Sequence, residues 1–219
     1  MERILAKAKN VAEQADVFVV TSEETPLQFE ANRLKQAQSK QSTLVAVRVV
    51  RNGKIGYSAG TSLENGQNLV DMAAAAAEFG MTASFEFPTA MNYPRIDIFD
   101  AAVESLPLET MVEQGDEAIA LVRQHNPDLI CDAWTSKGVV SVRMMNSRGG
   151  HAEYKETFSN LSVSANLIRG TDMLFVGESE GSCHPVLSAK SIADVIIKRL
   201  ELAANLARVP TGTLPVIFT

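Results

Sequence analysis

The dipeptide Asn52-Gly53 sits between two β-favouring runs, Thr43–Val50 and Ile55–Ala59. A two-residue hairpin turn needs positive φ at both central positions, and asparagine and glycine adopt it at least cost. The stretch therefore predicts an antiparallel hairpin. Apolar strands of this kind require further strand partners and a covered face. The flanking sequence supplies both. Ile4, Leu5, Ala8, Val11, Ala12 and Ala15 recur at spacings of three and four and predict a helix over 1–15. Asp16–Val20 reads as a strand that Pro26 breaks, and Leu27–Ala31 and Leu34–Gln41 read as weaker strands. A helix is expected from the Ser62–Gln67 region through Ala73–Ala77, stopped by Gly80.

Residues 81–106 carry Pro88, Pro94, Phe85, Phe87 and Phe99 and show no period. They read as an ordered connector that packs its aromatic rings. Beyond it the plan repeats. Leu108, Met111, Val112, Ala118, Ile119 and Val122 predict a helix that Asn126-Pro127 terminates. Strands are expected at Leu129–Thr135 and Val139–Met145, then a turn at Asn146–Gly150 and a long alternating strand at His151–Ile168. Gly170-Thr171-Asp172 turns that strand into Met173–Gly177, and Ser188 caps a last helix carrying Ile192, Val195, Ile196, Leu200, Ala203 and Leu206. The expected fold class is α+β, with two successive helix–antiparallel strands–helix units and sheets covered by helices. The expected boundaries are 1–80, a connector over 81–106, and 107–209. Residues 210–219 read as the start of a β-rich C-terminal domain that is otherwise missing. Val216-Ile217-Phe218 lies at the very end of the sequence with no partner strand and no polar tail, which predicts that the strand continues beyond Thr219.

Bulk properties narrow the functional classes. A hydrophobic share of 46% with 21% charged residues suits a folded soluble protein. The net charge of −6 neutralises no phosphate backbone, so nucleic acid is not an expected partner. No run of 18 apolar residues spans a membrane, and the first residues lack the apolar core of a signal peptide. Cys131 and Cys183 make no disulfide framework. A cytoplasmic location is the expectation.

Three segments carry a resemblance. Val45–Ser58, spanning the hairpin, resembles the N-terminal domain of the TldD/PmbA proteins, also called modulators of DNA gyrase. Asn146-Ser147-Arg148-Gly149 resembles that family's Asn-Ser-x-Gly turn, and Pro210–Phe218 resembles the join to its C-terminal domain. The resemblance implies a subunit of a cytoplasmic metalloprotease system acting on unfolded or small peptides. It further implies a zinc motif, His-Glu-x-x-x-His, in the C-terminal domain of the TldD branch. The PmbA (TldE) branch lacks that motif and acts as partner subunit. The join over 210–218 is more similar to the PmbA branch. A homodimer, or a hetero-oligomer with a related subunit, is the implied assembly.

The residues themselves offer little chemistry. His125, His151 and His184 have no second ligand at helical spacing, so no zinc site is expected in this chain. Any zinc is expected in a downstream domain or a partner subunit. His125 reads as a helix C-terminal cation. Cys183-His184 is the one adjacent soft-ligand pair, but strand neighbours point to opposite faces, and a catalytic thiol–imidazole pair meets across a fold rather than along it. A turn into Pro185 is the simpler reading. Gly149-Gly150 and Gly56/Gly60 lack the strand–loop–helix context of a phosphate cradle. Lys35, Lys40, Arg48, Arg51 and Lys54 suggest a solvated basic face or a surface for an acidic partner. No catalytic or metal residue is assigned, and the substrate-binding residues stay open.

The long strand His151–Ile168 is the feature most suited to interaction. Its length of 18 residues exceeds an ordinary strand, so it either curves inside a sheet or offers an edge to a peptide. Two functions follow. One is the N-terminal part of a protease-system subunit with catalysis elsewhere. The other is a non-catalytic peptide-binding or scaffold module.

Overall fold

A computed structural model describes residues 1–186, 188–204 and 211–215. The expected terminal strand at Val216–Phe218, the last-helix position Leu206 and part of the expected join therefore lie outside the described residues. In order, the elements are α1 (Glu2–Ala8), β1 (Gln14–Glu30), β2 (Arg33–Ala37), β3 (Lys40–Arg51), β4 (Lys54–Gly60), α2 (Gly66–Ala76), a 3₁₀ turn (Ala77–Phe79), α3 (Ala101–Glu104), α4 (Leu108–His125), β5 (Ile130–Asn146), β6 (His151–Arg169), β7 (Asp172–Ser182) and α5 (Ala189–Ala204).

The fold is α+β, with an antiparallel sheet covered by helices. The strands of the two expected units share one seven-stranded sheet, ordered β4-β3-β1-β5-β6-β7, with β2 attached to β1. β1 is the seam. Its Gln14–Glu24 segment pairs with β3 on one edge, and its Leu27–Glu30 segment pairs with β2. On the other edge Asp16–Phe29 pairs continuously with β5.

Pro26 does not break β1, contrary to expectation. It falls where β1 changes partner from β3 to β2, and its carbonyl accepts from Gln38 N–H at 3.0 Å on that side. Backbone N–H and C=O of one residue point the same way in an antiparallel ladder. The donor that proline lacks would therefore face the gap between β2 and β3, not β5. The expected break between the two halves of β5 is also absent. Gly138 sits there because a Cβ would lie 2.4 Å from the Phe158 ring and 2.6 Å from the Glu23 carbonyl oxygen. The first helix is shorter than its apolar stripe. Glu13 N–H bonds the Val50 carbonyl at 2.9 Å and Gln14 pairs with Val50, so the sheet takes Ala15 and leaves Val11 exposed.

Two apolar cores form on the same face of the sheet. In β1 the odd-numbered Ala15, Val17 and Val19 join Val45, Val47 and Val49 beneath α1 and α2. Leu27 and Phe29, also odd-numbered, join Met111, Ile119, Leu161, Val163, Ile192 and Ile196 beneath α4 and α5. An even spacing along a strand keeps side chains on one face. The hairpin turn between β3 and β4 has φ of 51° at Asn52 and 70° at Gly53, as its sequence requires. Ser188 Oγ accepts from Ser191 N–H at 3.1 Å and caps α5.

The connector is a strap over the opposite face. Arg48 projects there, and its guanidinium lies 5.3 Å from the Phe85 ring centre and 4.9 Å from that of Phe87. Phe87 is buried, and its N–H donates to Gln14 Oε1 at 3.0 Å. The aromatic packing expected of residues 81–106 is thus present at their N-terminal end.

Candidate functional site

β7 pairs with β6 only from Ser159 to Arg169. Among the described residues, the first part of β6, 151–158, has β5 on one side and no strand on the other. The long strand is therefore internal over one half and an edge over the other. At the junction the strap comes alongside. Thr157 N–H donates to the Ile98 carbonyl at 2.9 Å, and among the described residues this is the one backbone hydrogen bond between strap and strand. Thr157 Oγ1 accepts from Asp100 N–H at 2.9 Å and donates to the Cys183 carbonyl at 2.7 Å. Since Thr157 N–H points away from β5, the period of two aims the backbone N–H and C=O of Lys155 and Glu153 the same way. They face a groove.

That groove has a volume of about 1020 Å³ and runs between Tyr93–Phe99 of the strap and Ala152–Glu156 of β6. Tyr93, Ile96, Phe99 and Tyr154 present partly exposed apolar surface to it. The Lys155 ammonium lies 5.2 Å from the Phe99 ring centre, a cation–π contact, and 4.0 Å from a Glu104 carboxylate oxygen. A strand edge with a row of outward N–H and C=O groups and a flanking aromatic wall accepts one extended chain. The backbone supplies hydrogen bonds and the rings supply apolar contact.

The residues weighed for metal or nucleophilic chemistry are placed apart. His125 closes α4 beside Arg123 and is exposed, as a helix C-terminal cation should be. His151 opens β6 and is exposed. Cys183 and His184 occupy the bend between β7 and Pro185. His184 Nδ1 lies 2.9 Å from Asp100 Oδ2, while Cys183 Sγ is 4.0 Å from the Asp97 carbonyl oxygen. The hydrogen bond from His184, followed by the one from Ala102 N–H, holds the Asp100 carboxyl below its ordinary value of 3.8. Burial raises the Cys131 thiol to about 11, which leaves it un-ionised and inert. Among the described residues no three His, Cys, Asp or Glu side chains converge to hold a metal ion.

The basic cluster suggested by sequence is not one patch. Lys40 and Arg51 are at opposite ends of β3, roughly 35 Å apart along an extended strand. Arg48 is ion-paired with Asp16 at 2.6 Å, and Lys54 donates to the Glu78 carbonyl at 2.9 Å. Gly56 and Gly60 lie in β4, and Gly149 and Gly150 lie in the β5–β6 turn, none beside a helix N-terminus. The Asp100–His184 pair was missed by sequence reasoning, since 84 residues separate its members.

Residues 15–78 match the PmbA/TldA metallopeptidase domain 1 family. Over that segment the chain is similar to the TldD/PmbA proteins. The match covers β1–β4, α2 and part of the 3₁₀ turn, the region where Asn52-Gly53 set the hairpin. A TldD/PmbA-like relative is seen among solved structures as TldE from Thermococcus kodakarensis. The TM-score is 0.81 at 14% identity, over 94% of this chain and 48% of that one. A candidate modulator of a DNA gyrase from Thermotoga maritima superposes with a TM-score of 0.79 at 16% identity, over 96% of this chain and 49% of that one. At such identities the likeness is one of fold. An uncharacterized protein of Methanocaldococcus jannaschii is 22% identical over 213 residues, which cover 94% of this chain and 47% of the relative. The chain thus spans about half the length of the relatives it matches. The β6 edge groove lies outside the segment that the family match covers.

Proposed function

We propose that this chain belongs to the TldD/PmbA family, as part of a subunit of a cytoplasmic metalloprotease system that handles unfolded or small peptides. Its own part is to hold a peptide in extended form along the free edge of β6. The observation that carries this reading is the outward backbone of Glu153 and Lys155 facing an aromatic-walled groove. Strand addition reads the backbone of a peptide, so it suits substrates that share no fold. The zinc chemistry belongs to sequence outside these residues or to a related subunit, in a homodimer or a hetero-oligomer. The reading favours the PmbA (TldE) branch, on the likeness of residues 210–218 and the fold shared with TldE. A purely structural scaffold is the second reading, and the same groove distinguishes the two.

Amide hydrogen exchange with and without an excess of an unstructured 12-residue peptide tests the proposal. Exchange at Glu153 and Lys155 should slow on addition, while exchange along β3 and β4 stays constant. Unchanged exchange at both positions, at peptide concentrations up to millimolar, would leave only the scaffold.

A further inference from the structure

We infer that Asn146 is the positioning residue of the docking groove: its one side-chain amide fixes both walls. The inference rests on the peptide-docking reading. Asn146 is 3% exposed at the end of β5. Its Oδ1 accepts from Arg148 N–H at 2.9 Å and from Gly150 N–H at 3.0 Å, which shapes the turn from which β6 departs. Its Nδ2 donates to the Pro88 carbonyl at 2.9 Å, which ties down the strap. From these two ties the chain runs outward on both sides. Tyr93, five residues past Pro88, begins one wall, and Ala152, two residues past Gly150, begins the other. A Thr89–Gly149 bridge joins the two runs beside the amide.

The remaining ties of the strap flank this point. Upstream are the Glu86–Arg148 ion pair, the Phe87–Gln14 bond and the Arg48 contacts. Downstream are the bonds of Thr157 to Ile98 and Asp100, the Lys155–Phe99 contact and the Asp100–His184 pair. The Pro88 bond ties the strap at the upstream end of the groove. A planar amide with donor and acceptor at fixed separation sets the distance between turn and strap at this end of the groove, beside the Thr89–Gly149 bridge and the Glu86–Arg148 ion pair. The turn itself is secured separately to β1. Ser147 N–H donates to the Ala15 carbonyl at 2.8 Å, and Ser147 Oγ accepts from Ala15 N–H at 3.0 Å. The hairpin can therefore stay in place while the strap is released.

Asn146→Asp separates the two ties. A carboxylate still accepts from Arg148 and Gly150 but offers no donor to Pro88. Asn146→Ser, whose hydroxyl also accepts at the turn, is the second variant should the aspartate prevent folding. Asn146→Ala removes both ties. Two readouts apply to the 219-residue chain: amide exchange by mass spectrometry, and anisotropy of a fluorescein-labelled unstructured peptide. In the aspartate and serine variants, the Phe87 amide and the Thr157 amide that bonds the strap should exchange roughly tenfold faster and peptide affinity should fall roughly tenfold, with Arg148 and Gly150 protected as before. The alanine variant should lose protection at both places. Unchanged strap exchange in the aspartate and serine variants overturns the inference. So does faster strap exchange with undiminished peptide affinity. If the unaltered chain binds no peptide, the docking reading fails, and the exchange data alone then decide whether Asn146 anchors the strap.

Discussion

Arg48 grips Asp16 with two hydrogen bonds, at 2.6 and 3.3 Å, across the β1–β3 pair and beneath Phe85 and Phe87. Asp16 is 5% exposed, so its charge is desolvated and depends on that partner. Arg48→Ala should destabilise the fold by about 2 kcal/mol, the scale of a charge-assisted bond lost from a buried acceptor. Urea titration measures it. Arg48→Lys should recover only part, because an ammonium cannot form the paired geometry. A loss below about 0.5 kcal/mol for the alanine variant would show that the strap needs no such tie.

Asp100 and His184 give a pH prediction. The Asp100 carboxyl is depressed below 3.8 by the bond from His184 and then by that from Ala102. For a depressed carboxyl, the native state binds its proton less readily than the unfolded chain. Its contribution to stability is fully present above the ordinary value and disappears as the pH falls through the depressed native value. His184→Ala should move the Asp100 titration midpoint up toward 3.8, as followed by carboxyl NMR shifts. An unmoved midpoint would mean that Ala102 alone accounts for the depression.

Gly138 tests the continuity of β5. A Cβ placed there meets the Phe158 ring at 2.4 Å and a β1 backbone oxygen at 2.6 Å. Gly138→Ala should cost about 1–3 kcal/mol, as overpacking does, and lower the melting temperature. Phe158→Leu in the same chain should restore part of it, since the ring is the movable obstacle. A fully stable Gly138→Ala chain would contradict the close approach.

How far the sequence foretold the fold depends on whether the cause was local. Asn52-Gly53 marked its hairpin because the turn's cost is set by those two residues alone. The β1–β2 turn falls in the gap between the strands expected at Leu27–Ala31 and Leu34–Gln41, but its type is not legible because Ala31 and Asn32 hold φ of 48° and 70° without a glycine. That turn is held from outside, by Asp132 Oδ1 accepting from Ala31 N–H at 2.9 Å and by Asn32 Oδ1 accepting from Cys131 N–H at 2.8 Å. Pro26 was read as a break for the same reason: its tolerance depends on where β3 ends and β2 begins. The length and alternation of β6 were legible. That half of it stays an edge was not, because this depends on where β7 stops.

The chain should hold no stoichiometric zinc and cleave no peptide alone, since His125 ends α4, His151 opens β6, His184 lies in the bend after β7, and among the described residues Cys183 Sγ meets only the Asp97 carbonyl. Elemental analysis after chelator-free purification and mass spectrometry of an incubated unstructured peptide check this. About one tightly held zinc per chain lost with His184→Ala, or cleavage lost with Cys183→Ala, would refute it.

On the proposed function, the β6 edge takes an extended chain through its backbone. Anisotropy with three versions of one labelled 12-residue peptide tests it most directly: the parent, a scrambled sequence, and the parent N-methylated at alternate residues. Strand addition draws on peptide N–H groups that N-methylation removes. Scrambling should change affinity by no more than about threefold, while N-methylation in one of the two alternate registers should weaken it by roughly tenfold or more. Equal affinity for all three peptides, or loss on scrambling alone, would contradict it.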